Sequence, residues 1–336
     1  MLTGLERVLG VLAGDAVDRQ PVLPIMHSAL PPLFGVPLGE FFTRADVMAQ
    51  VMIRGQQEFG LDGVQLSMGV TAEAEALGAM TVQPPDGAPV LKEYLLADLT
   101  RMDSLRGRDP TSGGRMPVFF QAVEKVVESI GDHTFVLPTL RGPLLAASQL
   151  RGVQEILMDM LDQPEEAEKI LDLTAEVAVK LGRWLLASGA HGLALGEATC
   201  SPNFISPAFY RRFVLPRHRW VVSELKKSGW RAVGLHICGN TSAIIEDVIS
   251  TGIDFMDIDY QVPAVRASAL AQGRIALRGN LDPSAVFRFG TEEVVRTQTE
   301  KLCREVRHSR WIISSGCDVP PGTPAENIAA FTHAAS

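Results

Sequence analysis

The chain contains 336 residues, of which 46% are hydrophobic and 21% charged, and its formal net charge is −8. This composition is ordinary for a globular protein, and the absence of any basic run argues against a nucleic-acid partner. No apolar stretch reaches the roughly 18 residues of a membrane-spanning helix, and charged residues interrupt the N-terminus where a signal peptide requires its apolar segment. We therefore expect a cytoplasmic protein with no membrane or nucleic-acid partner.

The predicted elements alternate regularly along the chain. An amphipathic helix at residues 3–13 comes first, and short apolar runs then alternate with segments of helical periodicity. Further helices are predicted at 44–59, 117–130, 153–162, 164–188, 207–227, 242–250 and 291–307, with a last one opening at Glu326. Strands are predicted near residues 22, 63, 134, 192, 232, 254, 275 and 311. This α/β pattern of eight β-α units predicts a (β/α)8 TIM barrel preceded by an N-terminal helix.

Residues 70–112 depart from this alternation. They are rich in Gly, Pro and Asp, show little periodicity and contain short β-like pieces such as PVLKEY, so we predict an insertion or hairpin on the barrel rim. No internal repeat or linker supports a second domain, and a single domain over residues 1–336 is expected. A doubly wound sheet is the alternative fold, but no G-x-G-x-x-G follows an early strand.

Two strand ends carry residues that bind soft metals. The stretch RAVGLHICGN ends in His236 and Cys238, which share one side of an extended chain because they are two positions apart. The later stretch WIISSGCDVPPGTP repeats the arrangement at Cys317. An imidazole and two thiolates are preferred zinc ligands, and three protein ligands leave a fourth position open. The alternative is two unrelated core cysteines and a hydrogen-bonded histidine, and the spacing leaves both interpretations open.

The other two cysteines are interpreted as packing residues. Cys200 lies three positions after Glu197, and Cys303 lies inside a predicted helix. A chain of this length with four cysteines does not suggest a disulfide framework, so in a reducing compartment the thiols remain available as ligands or nucleophiles.

Acidic residues also lie at strand ends, where a TIM barrel builds its active site. Glu197 ends the fourth strand and is either a fourth, displaceable zinc ligand, an acceptor for His236, or a strand-end carboxylate without a role in the site. Asp257 and Asp259 end the sixth strand and either orient His236 or hold loops.

Four further residues are candidates for contact with substrate or cofactor. Asn280 and Asp282 follow the seventh strand and either brace its loop or touch substrate. Arg141 ends the third strand and either holds the anionic end of a substrate or is structural. His27 follows the first strand and is a candidate for lining the site.

Three motifs together carry a family resemblance. HICGN, then RGNLDP at 278–283, then SGCDVPPGTPAENI at 315–328 resemble the uroporphyrinogen decarboxylase superfamily and, within it, the methylcobalamin:coenzyme M methyltransferase branch, over nearly the whole chain. The resemblance implies that His236, Cys238 and Cys317 bind Zn2+ and that zinc activates a small thiol. The thiol then takes a methyl group from methylcobalamin or from a corrinoid held by a partner protein. A monomer or homodimer is expected.

The chain departs from the decarboxylases at two places. Their arginine-rich motif after the first strand is replaced by residues 26–30, MHSAL, and their aspartate after the second strand is replaced by residues 67–69, SMG. A porphyrinogen with many carboxylates needs several cationic partners, so decarboxylation is disfavoured. The methyl acceptor is expected to be coenzyme M-like or homocysteine-like. The alternatives are a tetrahydrofolate acceptor and a non-catalytic tetrapyrrole-binding relative.

Overall fold

The computed structural model describes residues 1–307 and 310–336, and within them seven strands form one parallel, curled sheet. The strands are β1 Gly63–Ser67, β2 Thr81–Val82, β3 Val90–Leu91, β4 Phe135–Arg141, β5 Leu193–Gly196, β6 Val233–His236, β7 Phe255–Ile258, β8 Ala276–Leu281 and β9 Trp311–Ser315. The order in the sheet is β1-β4-β5-β6-β7-β8-β9, and β2 and β3 form a separate antiparallel pair. The predicted α/β class is therefore confirmed.

Helices connect the strands and cover the outer surface of the sheet. They are α1 Gly4–Ala13, α2 Leu30–Leu33, α3 Leu38–Phe41, α4 Ala45–Phe59, α5 Ala72–Ala76, α6 Met102–Arg106, α7 Met116–Ile130, α8 Pro143–Arg151, α9 Val153–Asp162, α10 Pro164–Leu185, α11 Pro207–Phe209, α12 Leu215–Ser228, α13 Ile245–Ile249, α14 Ala264–Ala271, α15 Glu292–Val306 and α16 Ala325–Ala335. No helix of the described residues is both long and apolar enough to cross a membrane.

The first predicted strand, near residue 22, is reduced to a single bridge between Val22 and Ile313. The segment is still hydrogen-bonded on both sides. Leu23 N donates to Ile313 O of β9 at 2.9 Å, and Asp62 N, directly before β1, donates to Val22 O at 3.0 Å. Pro24 has no N–H and interrupts the ladder. The segment therefore lies between β1 and β9, and the predicted sheet of eight strands is observed as seven strands plus this bridge.

The core has two layers, one on each side of the sheet. The inner layer combines strand residues such as Phe135, Leu137 and Phe255 with Val8 and Val11 of α1. Helix α1 begins with a capping box, in which Thr3 and Glu6 each bond the backbone N–H of the other. Because α1 closes the end of the sheet at which the strands begin, the interior opens at the end where the strands finish.

Several helices were not predicted from the sequence, among them α8 and α14. Helix α8 is buried over almost its whole length and so lacks the polar stripe that reveals an amphipathic helix, and α14 is short. The predicted helix at 207–227 is interrupted by a π-helical segment, Tyr210–Val214, and the one at 242–250 begins with a 3-10 turn, Thr241–Ala243.

The predicted rim segment at 70–112 contains the hairpin β2–β3, as its β-like pieces indicated. Its first part is not the irregular segment that we expected, because it contains the helix α5, whose residues are all buried. Glu75 in α5 pairs with Arg115 at 2.6 Å, and this ion pair attaches the segment to the start of α7.

Candidate metal centre

The side chains of His236, Cys238 and Cys317 converge at the open end of the sheet. The Nε2 atom of His236 lies 3.3 Å from Cys238 Sγ and 3.6 Å from Cys317 Sγ, and the two sulfurs are 3.8 Å apart. Tetrahedral zinc, with bonds of about 2.3 Å to sulfur and about 2.1 Å to nitrogen, sets its sulfurs about 3.8 Å apart and nitrogen about 3.6 Å from sulfur. The donor set therefore fits zinc in chemistry and in spacing.

The charges within this cluster also favour a cation. Burial lowers the pKa of His236, but the Cys317 thiolate and Asp257 outweigh it and raise that pKa to about 10. Hydrogen bonding to Cys317 lowers the pKa of the Cys238 thiol, whereas hydrogen bonding to Cys238 and burial raise the pKa of Cys317. An imidazole pKa that is raised in spite of burial indicates a negative local potential at this point, which favours a bound cation.

Two glycines next to the cysteines allow the loops around the site to pack closely. Gly239, directly after Cys238, has φ 85°, and a Cβ on it would lie 2.6 Å from Ser201 Oγ. Its N–H donates to Asp259 Oδ2 at 2.9 Å, so Asp259 fixes the loop that carries Cys238. A Cβ on Gly316, directly before Cys317, would lie 2.6 Å from the backbone nitrogen of Tyr260.

Asp257 contacts the opposite edge of the His236 ring. Its Oδ2 atom lies 3.0 Å from His236 Nδ1, and both its oxygens accept from the guanidinium of Arg278, at 2.7 and 2.5 Å. Burial raises the pKa of Asp257, but Arg278 and His236 outweigh it and keep that pKa below its usual range. An Nδ1–H donated to Asp257 turns the lone pair of Nε2 toward the two sulfurs, as a metal ligand requires.

Glu197 does not join these three residues within the described structure. Its oxygens accept from Leu144 N at 3.1 Å and Leu145 N at 2.8 Å, and its Oε1 lies 2.8 Å from His218 Nε2. Glu197 forms a second, buried cluster with Cys200 and His218, separate from the candidate ligands. The reason is the unpredicted helix α8, whose free N-terminal N–H groups attract a carboxylate. The predicted role as fourth ligand therefore has no support in the geometry.

His218 is a residue of this second cluster that the sequence gave no reason to select. Its Nδ1 atom lies 3.1 Å from the hydroxyl of Tyr210, so both ring nitrogens have partners in a buried chain from Tyr210 to Glu197. Burial raises the pKa of Tyr210 and of Cys200. A histidine in the middle of an amphipathic helix carries no sequence signal for such a contact.

Arg141 lies close to the metal cluster because of a glycine. The strand register sets Arg141, Gly196 and His236 side by side on β4, β5 and β6, facing the same side of the sheet. A Cβ on Gly196 would lie 2.7 Å from Arg141 Nη1, so the guanidinium occupies the space above β5 on the way to His236. Its Nη2 donates to Ser67 Oγ at 2.5 Å, while its buried Nε has no partner among the described residues.

Two carboxylates and a histidine surround the same space. Glu73 Oε1 accepts from the backbone N–H of Arg141 at 2.7 Å, and burial raises the pKa of Glu73. His27 Nε2 lies 3.3 Å from Asp318 Oδ2; burial lowers the pKa of His27 and raises that of Asp318. His27, the predicted site-lining residue, therefore contacts Asp318, the residue after Cys317. Glu73 and Asp318 were missed, although Asp318 directly follows Cys317 in the third motif.

Asn280 and Asp282 make loop-bracing contacts. The Nδ2 atom of Asn280 donates to Val262 O at 2.7 Å and to Asp259 O at 3.3 Å. Asp282 Oδ1 accepts from the N–H groups of residues 284 and 285, each at 2.8 Å. Of the two alternatives, these contacts correspond to bracing, because Asn280 Nδ2 and Asp282 Oδ1 are both bonded to the backbone.

The chain is similar to proteins of methanogenic archaea over almost its full length. It is 27% identical to the methylated-thiol–coenzyme M methyltransferase of Methanosarcina mazei, covering 99% of this chain and 89% of that protein. It is 25% identical to the methylcobamide:CoM methyltransferase MtaA of Methanosarcina barkeri, covering 98% and 96%.

A solved structure has the same fold. It is a methyltransferase from Methanosarcina mazei that superimposes with a TM-score of 0.91 at 23% identity, covering 100% of this chain and 98% of that chain. Residues 3–336 match the family described as uroporphyrinogen decarboxylase (URO-D). The matched range includes all the helices and strands given above and all three candidate ligands. The chain therefore belongs to the uroporphyrinogen decarboxylase (URO-D) family.

Proposed function

We propose that this chain is a zinc-dependent methyltransferase that moves a methyl group from the cobalt of a corrinoid, carried by a partner protein, to a small thiol. The observation that carries the proposal is the cluster of His236, Cys238 and Cys317, with separations of 3.3, 3.6 and 3.8 Å. The chain is a methyltransferase, and the relatives named for methyl transfer to coenzyme M support the proposal. Methyl transfer to sulfur needs a thiolate, and this donor set suits the metal that forms one.

The proposed roles follow from the contacts of each residue. His236, Cys238 and Cys317 hold Zn2+, and Asp257 keeps His236 in the tautomer that binds it. When bound, zinc lowers the pKa of a thiol substrate so that the sulfur reacts as a thiolate near neutral pH. The sulfur lone pair forms the new carbon–sulfur bond, the electron pair of the cobalt–carbon bond stays on cobalt, and the thiol proton passes to solvent.

Arg141 supports an acceptor that carries an anionic group. Its guanidinium lies above Gly196, next to His236, and its Nε has a hydrogen that meets no acceptor in residues 1–307 and 310–336. A guanidinium binds carboxylate, sulfonate or phosphate oxygens through such hydrogens. A thiol bound to the metal by its sulfur and to Arg141 by its other end is therefore coenzyme M-like or homocysteine-like.

The alternative activities fit the residues less well. Met26 and Met68, which stand where decarboxylases carry cationic and acidic residues, are both buried in the apolar core. A tetrahydrofolate acceptor would not require two thiolates and an imidazole at one point. A non-catalytic tetrapyrrole-binding protein would not require them either.

The test is methyl transfer from free methylcobalamin to 2-mercaptoethanesulfonate, homocysteine and 2-mercaptoethanol, followed by the absorbance change as the methyl leaves cobalt. We expect turnover with the anionic thiols, and loss of at least about a hundredfold in kcat/KM in Cys238→Ala and Cys317→Ala. In Arg141→Met, the KM for the anionic thiols should rise about tenfold or more while that for 2-mercaptoethanol changes little.

Cys303→Ala is the matched control, because Cys303 has the same intermediate exposure as the two ligand cysteines but lies in α15. It should retain full activity. Turnover of Cys238→Ala and Cys317→Ala at the wild-type rate would contradict the proposal, as would transfer to tetrahydrofolate in place of any thiol.

A further inference from the structure

Three aromatic side chains are exposed in loops that follow strand ends at the open end of the sheet. Phe204 follows β5, Tyr260 follows β7 and Phe289 follows β8, and their exposed fractions are 56%, 46% and 76%. Large aromatic side chains bury much apolar area when they are covered, and they are enriched in the centres of protein interfaces. Their exposure together at one end of the molecule therefore calls for an explanation.

The loops of Phe204 and Tyr260 pack directly against the residues that carry the cysteines. Ser201 and Asn203 lie 2.6 and 3.3 Å from the position of a Cβ on Gly239, which follows Cys238. The backbone nitrogen of Tyr260 lies 2.6 Å from the position of a Cβ on Gly316, which precedes Cys317. Both aromatic residues thus belong to loops that pack against the glycines next to Cys238 and Cys317.

Phe289 lies beside the loop that follows Cys317. The guanidinium of the preceding residue, Arg288, is 3.1 Å from the position of a Cβ on Gly322 and 5.3 Å from the ring centre of Phe289. Aromatic residues together with arginine are the residue types that dominate binding energy at protein interfaces. The three aromatics and Arg288 therefore form a rim around the mouth of the site, which we call the aromatic rim.

We propose that the aromatic rim is the docking surface for the protein that carries the corrinoid. This inference rests on the proposed function and adds where its partner binds. The methyl donor must come within bonding distance of a sulfur held beside Cys238 and Cys317, and α1 closes the opposite end of the sheet. The partner must therefore cover the mouth of the site, and in doing so it would bury the exposed aromatic side chains of Phe204, Tyr260 and Phe289.

The experiment compares two methyl donors. The double variant Phe204→Ala/Phe289→Ala changes only exposed side chains that are not among the candidate ligands. Methyl transfer is measured from free methylcobalamin and from a recombinant corrinoid protein of the source organism, methylated on cobalt. We expect the KM for the corrinoid protein to rise about tenfold or more, and the KM for free methylcobalamin to stay within about twofold. The dissociation constant of the corrinoid protein, measured by titration calorimetry, should rise by the same factor.

Leu161→Ala is the matched control, because Leu161 is 61% exposed but lies in helix α9 and not in a loop that follows a strand. It should change neither KM. Equal affinity of the corrinoid protein for wild type and double variant would overturn the docking proposal, as would an equal loss with both donors. A wild-type dimer that the double variant splits would assign the surface to a second copy of this chain instead. Failure of the wild type to use either methyl donor would contradict the proposed function, and the calorimetric titration would still decide the docking proposal.

Discussion

At the scale of single residues, Asp257 connects the candidate metal centre to the stability of the fold. It contacts His236 at 3.0 Å and receives two hydrogen bonds from Arg278, and both Asp257 and Arg278 are buried. A buried guanidinium that loses its carboxylate keeps its charge without compensation, which is costlier than the pair itself is stabilising.

We therefore predict that Asp257→Asn lowers the free energy of unfolding by about 3 kcal/mol. It should also weaken zinc binding roughly tenfold to a hundredfold, because the His236 ring loses its orienting partner. Urea denaturation and a competitive chelator titration measure the two effects. Glu300→Gln, which removes an exposed partner of Arg304, is the control and should change unfolding by less than about 1 kcal/mol. An Asp257→Asn protein that matches the wild type in both measurements would refute this role.

The residues that the sequence identified differ from those it missed in one respect. His236, Cys238 and Cys317 are soft donors at strand ends, and parallel strands bring their ends together, so local sequence was enough to group them. Asp318 was missed although it directly follows Cys317, whereas Glu73 enters the same space through a contact that no spacing reveals. Glu73 reaches the backbone of Arg141, 68 positions away, from a helix that the sequence did not predict.

At the scale of elements, helix α8 explains the position of Glu197. The helix begins at Pro143, and the N–H groups of Leu144 and Leu145 both donate to Glu197. The strand that ends at Glu197 was predicted from its apolar run, but α8 has no amphipathic pattern. The free N–H groups that hold the carboxylate were therefore invisible in the sequence.

We predict that Glu197→Gln keeps its zinc but lowers the free energy of unfolding by about 1–3 kcal/mol. A glutamine presents only one acceptor oxygen where two N–H groups now bond, and it loses the charge that favours a helix N-terminus. Thermal or urea unfolding, with zinc content measured on the same sample, tests this. Loss of zinc at unchanged stability would instead return Glu197 to the role of metal ligand.

At the scale of the whole molecule, the sheet is closed between its first and last strands by the segment after residue 20. Asp62 holds this closure, because its carboxylate accepts from Val22 N at 2.7 Å, Arg7 Nη1 at 2.9 Å and Arg19 Nη1 at 2.6 Å. The alternation of strands and helices was readable from sequence periodicity. The shortening of the first strand was not, because it depends on how Pro24 meets β9.

We predict that Asp62→Ala lowers the free energy of unfolding by about 3 kcal/mol, because it leaves the Nη1 group of Arg7 and the Val22 N–H without an acceptor, while Arg7 keeps its pair with Asp18. Zinc content per folded chain should be unchanged, since Asp62 lies at the end where the strands begin. Urea denaturation followed by circular dichroism gives the measurement. Asp172→Ala, which removes an exposed partner of Arg217, is the control and should cost less than about 1 kcal/mol. An equal effect of the two substitutions would contradict the role of Asp62 in closure.

The central claim is that His236, Cys238 and Cys317 form a zinc site, and elemental analysis by mass spectrometry tests it most directly. Protein purified without added metal or chelator should contain about one zinc per chain. The double variant Cys238→Ala/Cys317→Ala should contain almost none while its circular dichroism spectrum remains that of the wild type, because the ligands lie at strand ends outside the apolar core. Full zinc occupancy in the double variant, or a wild-type protein that takes up no zinc from an equimolar solution, would contradict the account.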